Sequence, residues 1–235
     1  MSVVLVDVRS RAAYDAGHLR GAVHLETEAD LSHIGPDPAI GGRHPLPSDD
    51  QLELVFARAG INDDSFVLAV DDNSGWAARC WWLLRHIGHD EAGTLAIDDY
   101  VGPLTGDVPA PLSGNIVARP RTDDTIEAEE ILARLDDRDL LLFDARSAAR
   151  WRGDEEPLDP VAGRIPGARN LHFIDPLPAD ATAATEIATY CGSGVTACVV
   201  AQKLILAGRD DVRVYPGSFS EWCRRDGYPI EKGSP

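Results

Sequence analysis

EIATYCGSGVTACVVAQKLILAGRDDVRVYPGS, residues 186–218, holds a short apolar run, a turn with two glycines, a helical pattern, a glycine stop and a second apolar run. An apolar run of five cannot be told from buried helix by periodicity, but its length and bracketing turn make it a strand. A strand followed by a helix and another strand is the unit of a parallel sheet, because parallel neighbours need a crossover connection. Residues 66–99, FVLAVDDNSGWAARCWWLLRHIGHDEAGTLAIDD, repeat the same order.

A second pair of segments strengthens the duplication. VVLVDVRSRAAYDAGHLRGAVHL (residues 3–25) corresponds to LLLFDARSAARWRG (140–153) continued by VAGRIPGARNL (161–171). Each copy gives an apolar run, Asp-x-Arg-Ser, and then a Gly-x-(Leu/Ile)-x-Gly-Ala turn. The fold class expected is α/β, with two tandem domains, each a mainly parallel sheet flanked by helices. Between them GPLTGDVPAPLSGNIVARPRTDD (102–124) is rich in Pro, Gly and Ser and lacks periodicity. The expected organisation is a first domain at 1–105, a linker at 106–119 and a second domain at 120–235. The second should open on the helix TIEAEEILARL, with Thr125 as its N-cap. The first copy has no counterpart to helix Glu127–Leu135, so it reads as a short form or one whose start is missing.

Composition narrows the function classes. The 235 residues carry a net charge of −17, which would repel nucleic-acid phosphates. No apolar stretch approaches the ~20 residues of a membrane span, and MSVVLVDVRS has neither a basic n-region nor a cleavage site. Four cysteines with no CxxC pair point to reduced thiols, hence a cytoplasmic protein. The seven histidines show no metal-site spacing, so no metal is expected.

Cys191 is the residue to explain. It follows the strand EIATY directly, and a helix opens near Gly194 or Val195. Ligands of open α/β sheets settle beyond the carboxyl ends of strands, near helix N-termini. Gly192 and Gly194 let the backbone curl so that successive N–H groups face the sulfur, which favours the thiolate and makes it a nucleophile. In the first copy Asp71 stands at this place, followed by Asp72, Asn73 and Ser74. A carboxylate cannot act as a sulfur nucleophile, so one half keeps the chemistry and the other the shape.

The loop Cys191-Gly-Ser-Gly-Val-Thr-Ala197, the paired Asp-x-Arg strands and the Gly-Arg-Ile-Pro-Gly-Ala turn resemble the two-domain rhodanese-like sulfurtransferases over nearly the whole chain. The CGSGVTA form is similar to that of 3-mercaptopyruvate sulfurtransferases, whereas thiosulfate-preferring members carry basic residues after the cysteine. The resemblance implies a persulfide on Cys191, a small-molecule sulfur donor, and a thiol, cyanide or thioredoxin-like acceptor. It implies no cofactor, and the chain is expected to be a monomer or weak dimer. Thiosulfate sulfurtransferase activity is the alternative donor choice, and a non-catalytic sulfur-carrier or binding module the alternative class. A cysteine phosphatase would need an arginine where Ala197 stands.

The resemblance also assigns residues. Arg150 matches the arginine that holds the donor's carboxylate or sulfonate, and Asp144 the acid that orients it. Gly192, Gly194, Val195 and Thr196 complete the donor-binding loop. A second arginine of mercaptopyruvate-type members is missing: GDEEPLDPVAG (153–163) puts Leu158 near its place. The family's serine–histidine–acid relay falls on Ser193, on His44 in GGRHPLP, and on Glu28 in HLETEAD, where Glu26 and Asp30 compete. His18 in its turn, Cys80, Cys198, Cys223, Trp81 and Trp82 read as packing residues.

Overall fold

The structure, a computed structural model, describes residues 2–33, 35 and 37–234. It divides into two compact units: residues 1–33 with 46–121, and residues 34–45 with 122–235. Among the described residues no helix is long and apolar enough to cross a membrane.

In the first unit the elements are β1 (Val3–Asp7), α1 (Arg11–Ala16), β2 (Val23–His24), α2 (Thr27–Asp30), α3 (Asp49–Arg58), β3 (Phe66–Asp71), α4 (Trp76–His86) and β4 (Ala92–Ala96). The second unit has α5 (Ala128–Ala133), β5 (Leu140–Asp144), α6 (Ala148–Arg152), β6 (Arg169–Asn170), β7 (Glu186–Tyr190), α7 (Val195–Leu206), β8 (Arg213–Val214) and α8 (Ser218–Trp222). Each unit holds one four-stranded parallel sheet, in the orders β2-β1-β3-β4 and β6-β5-β7-β8. The repeated order gives the doubled α/β architecture that the two sequence copies imply.

The Asp-x-Arg-Ser motif works identically in both units. Asp7 accepts hydrogen bonds from the backbone and guanidinium of Arg9, and Asp144 does the same for Arg146. Each arginine then reaches the carbonyl of the first glycine of the distant turn, Gly17 at 2.8 Å and Gly163 at 2.7 Å. The serine caps the following helix: Ser10 accepts from Ala13 N and Ser147 from Arg150 N. One tetrapeptide thus ends a strand, starts a helix and fastens a loop.

Residues 106–121 have no regular structure but are tied to the first unit. Gly114 N donates to Ala57 O, Ile116 N to Ile61 O, Arg119 N to Ile87 O and Arg121 N to His86 O. Arg121 also grips Asp90 with one nitrogen, at 2.9 and 2.8 Å. At the other boundary helix α5 starts at Ala128, and its flanking residue Glu127 makes no side-chain cap. Thr125 is not the N-cap expected of it. It bridges Val214 in parallel, and Ile126 N donates to Val214 O at 3.0 Å, so sheet pairing takes the residues that cap propensity assigned to the helix.

The core of the second unit gathers Ile126, Ile131, Leu142, Ile165, Tyr190, Tyr215, Phe219 and Trp222. Burying side chains of this size stabilises by about 1.5–3 kcal/mol each. This cluster backs both the end of β7 and the start of α8, the two elements that frame Cys191. In the first unit Trp81 and Trp82 are buried, Trp81 donating to Ala92 O at 3.1 Å. His18 is buried too, stacked on Tyr14 with ring centroids 3.7 Å apart.

Candidate active site

Strand β7 delivers Cys191 to the mouth of α7. The intervening turn closes on Gly194, whose φ of +82° is costly for any residue with a Cβ. A Cβ there would also lie 2.5 Å from Pro216 O. With the turn so wound, Ser193 N and Gly194 N point at Cys191 Sγ, at 3.4 and 3.2 Å. Two donors aimed at one sulfur stabilise negative charge on it. The loop's outer edge is held by α8 and the turn before it: Cys191 N donates to Ser218 Oγ, Phe219 N to Cys191 O and Ser220 N to Gly192 O. Val195 and Thr196 form the first turn of α7.

The first unit carries the same device with another occupant. Sheet register places Asp7 opposite Val70 and Asp144 opposite Tyr190, which equates Asp71 with Cys191. The Asp71 carboxylate accepts from the N–H groups of Asn73, Gly75 and Ala77, at 3.1, 2.9 and 3.0 Å. Ser74 Oγ donates to it as well. This loop geometry therefore draws in an anion, supplied in the first unit by a side chain.

His44 comes from the segment between α2 and α3, which belongs to the second unit. Gly41 N donates to Glu221 and Arg43 N to Ser220 Oγ at 3.0 Å. Gly42, at φ +80°, packs against Gly217 O so closely that a side chain would collide. These contacts bring His44 Nδ1 to 2.8 Å from Ser193 Oγ. Ser193 is thus joined to Cys191 through its amide and to His44 through its hydroxyl. Glu28 lies on α2 of the first unit, exposed. Its neighbour Asp30 is buried, accepting from Glu26 N and Arg58.

Arg150, on α6, sits over Gly192: its Nη2 is 3.3 Å from where a Cβ of residue 192 would be. Its orienting acid is not Asp144. Both oxygens of Asp144 are engaged by Arg146, whereas Arg150 donates to Glu156 from Nε at 3.1 Å and Nη2 at 2.6 Å. The reason is local geometry, since Arg146 is two residues from Asp144 and closes a tight ring on it before Arg150 can compete. The Glu156 side chain is buried and also accepts from Leu158 N and Asp159 N. Leu158 itself is exposed.

Three residues at the site escaped the sequence reading. Arg43 brings Nη2 to 2.9 Å from the same Gly192 position, and Asp159 and Glu156 hold the guanidiniums there. Arg43 adjoins His44, and both acids lie in the acidic GDEEPLDP stretch, so the signal existed in composition but not in spacing.

The four cysteines are free thiols in different surroundings. Burial pushes Cys80 up to about 12. Burial, then the charge of Asp159, raises Cys223 above the ordinary thiol value. Cys198 donates to Gly194 O at 3.2 Å. At pH 7.5 a limiting amount of iodoacetamide should therefore label Cys191 before Cys223, although Cys223 is the more exposed. Peptide mapping reads the order; labelling of Cys223 first would show that exposure, not the amide cradle, governs reactivity.

The sequence matches the rhodanese-like domain at residues 1–97 and again at 127–225. It is 36% identical to a "Probable 3-mercaptopyruvate sulfurtransferase" of Pseudomonas aeruginosa, covering 94% of this chain and 86% of that one. It is 32% identical to a thiosulfate sulfurtransferase of Azotobacter vinelandii, covering 97% and 91%. Among solved structures it superposes on the anaerobic ergothioneine biosynthesis enzyme of Chlorobium limicola with a TM-score of 0.80 at 21% identity. All of this chain is matched there, against 65% of that longer one, a likeness of fold. Two matched segments, each carrying the four-stranded parallel sheet and the Asp-x-Arg-Ser fastening, place this chain in the rhodanese-like family.

Proposed function

We propose that the protein is a sulfurtransferase that takes sulfur from 3-mercaptopyruvate onto Cys191 and passes it to a thiol or to cyanide. The observation that carries this reading is the pair of amides on Cys191 Sγ. The names of the relatives, one for each donor, support the same chemistry.

In the first displacement the Cys191 thiolate attacks the donor sulfur. A new S–S bond forms, the donor's C–S bond breaks, and its electron pair stays on carbon as the enolate of pyruvate. Carbon then takes up a proton, while the outer sulfur of the persulfide loses one. Ser193 and His44, hydrogen-bonded at 2.8 Å, form the path for that transfer, with Glu28 as the proposed acid of the relay. Arg150 holds the carboxylate of the donor. In the second displacement an acceptor thiolate or cyanide attacks the outer sulfur, and the S–S electron pair returns to Cys191. A thioredoxin-like protein suits the acceptor role, because its thiolate can make that attack. The reaction calls for no metal or organic cofactor. Because Cys191 must start as a free thiol, the reducing cytoplasm is the proposed setting.

Intact-mass measurement after mixing with mercaptopyruvate tests the reading. A gain of about 32 Da, the mass of one sulfur, should appear on the peptide containing Cys191 and vanish with cyanide. A gain with thiosulfate alone would make that the donor. No gain with either would leave the protein as a binding module.

A further inference from the structure

Beside Gly192 lies a cluster of charges of which the proposed steps use only Arg150. Asp159, with its side chain inaccessible to solvent, is contacted by three guanidiniums. Arg43 pairs with its Oδ1, Arg224 Nη1 lies 2.8 Å from the same oxygen, and Arg150 Nη2 is 3.6 Å from Oδ2. Oδ2 accepts no hydrogen bond among the described residues. A fully buried carboxylate oxygen left in that state needs a compensating reason, because its desolvation is not offset. The three arginines come from distant places in the sequence, and two of them present a nitrogen over Gly192.

Counting the charges gives the cluster a sign. Arg43, Arg150 and Arg224 face Glu156 and Asp159, while Arg146 and Asp144 neutralise each other. Three cations against two anions leave one positive charge beside the reactive loop. Mercaptopyruvate presents one carboxylate to such a site, and thiosulfate presents two negative charges. The Coulomb energy of a ligand in a fixed field scales with its charge. Each negative charge built into the site therefore costs a dianion about twice what it costs a monoanion.

We infer that Asp159 is a positioning and specificity-determining residue, holding Arg43 and Arg150 over Gly192 while lowering the positive charge of the donor subsite, which weakens its pull on a dianion more than its pull on a monoanionic carboxylate. Arg43 thereby supplies a second guanidinium for the donor carboxylate, from a segment far from Leu158 in sequence. The inference rests on the sulfurtransferase reading and deepens it by naming what selects the donor.

The test is the ratio of kcat/KM for mercaptopyruvate to that for thiosulfate, with Cys191 persulfide mass as an independent readout. Asp159→Asn removes one negative charge, so the ratio should move toward thiosulfate by about tenfold, mainly through KM. Arg224→Gln removes a positive charge away from Gly192, and the ratio should move the other way. Asp159→Glu keeps the charge and should leave the ratio within about threefold of the parent. Opposite shifts from the two neutralising variants are what a loosened structure does not give, because loosening lowers both donors together. A ratio unchanged in Asp159→Asn, or moved in the same direction by Arg224→Gln, overturns the inference. If Asp159→Asn does not fold, Arg224→Gln decides alone by its sign. If the parent protein forms no persulfide with either donor, the sulfurtransferase reading itself falls, a result separate from the ratios.

Discussion

Replacing Cys191 with serine should abolish sulfur transfer while leaving the fold in place. Cyanide-dependent thiocyanate formation should drop by at least about a thousandfold, the scale seen when an essential nucleophile is removed. A serine hydroxyl holds its proton far more tightly than a thiol at neutral pH. Two amides cannot make up that difference, and an oxygen nucleophile cannot form a persulfide. Stability should change by about 1 kcal/mol or less, because serine Oγ can accept the hydrogen bonds that Ser193 N and Gly194 N now give to sulfur. The mass gain on the 191 peptide should disappear with the activity. Retention of a tenth of the parent rate would move the nucleophile elsewhere, with Cys223 the first residue to examine. Its raised thiol value makes it a poor substitute at neutral pH.

The loop around Cys191 was legible because its chemistry is local. A strand end, two glycines and a helix start all lie within a few residues, and backbone geometry follows from them directly. The same holds for Asp-x-Arg-Ser, where the bonds that join Asp to Arg and the Ser cap all lie within five residues. Legibility ended where partners lie far apart in sequence. His44 meets Ser193 across 149 positions, and Arg43 meets Asp159 across 116. Family resemblance reached the first of these pairs and not the second. Resemblance also tied Asp144 to Arg150, six residues on, whereas Arg146, two residues away, takes both oxygens of that acid and Arg150 bonds Glu156 instead. The start of α5 failed for a related reason. Thr125 has the side chain of a good cap, but the edge of β8 recruits its backbone, and local propensity yields to a sheet contact 89 residues away.

Asp144, once removed from the donor-binding role, becomes a prediction about stability. Arg146 is 1% exposed and Asp144 fully buried, so neither charge has water to fall back on. Burial works to strip the Arg146 proton, and the Asp144 charge and hydrogen bonds more than reverse it, so the guanidinium is held charged. The Asp144→Ala variant keeps that buried cation and takes away its main counter-ion. Gly163 O at 2.7 Å, Glu156 at 3.2 Å and the face of Phe219 at 4.0 Å remain, too little for a guanidinium with five donors. Breaking a buried pair in this way costs about 3–5 kcal/mol. The second unit should therefore unfold at clearly lower urea, while replacing both partners, Asp144→Leu with Arg146→Met, should recover a large part of the loss. Glu156 would be drawn toward the orphaned Arg146 and away from Arg150, so any folded Asp144→Ala protein should also show a raised KM for the donor. A loss below about 1 kcal/mol, the range of an exposed pair, would mean that Arg146 has found water and that the buried fastening does not hold the sheet to its turn.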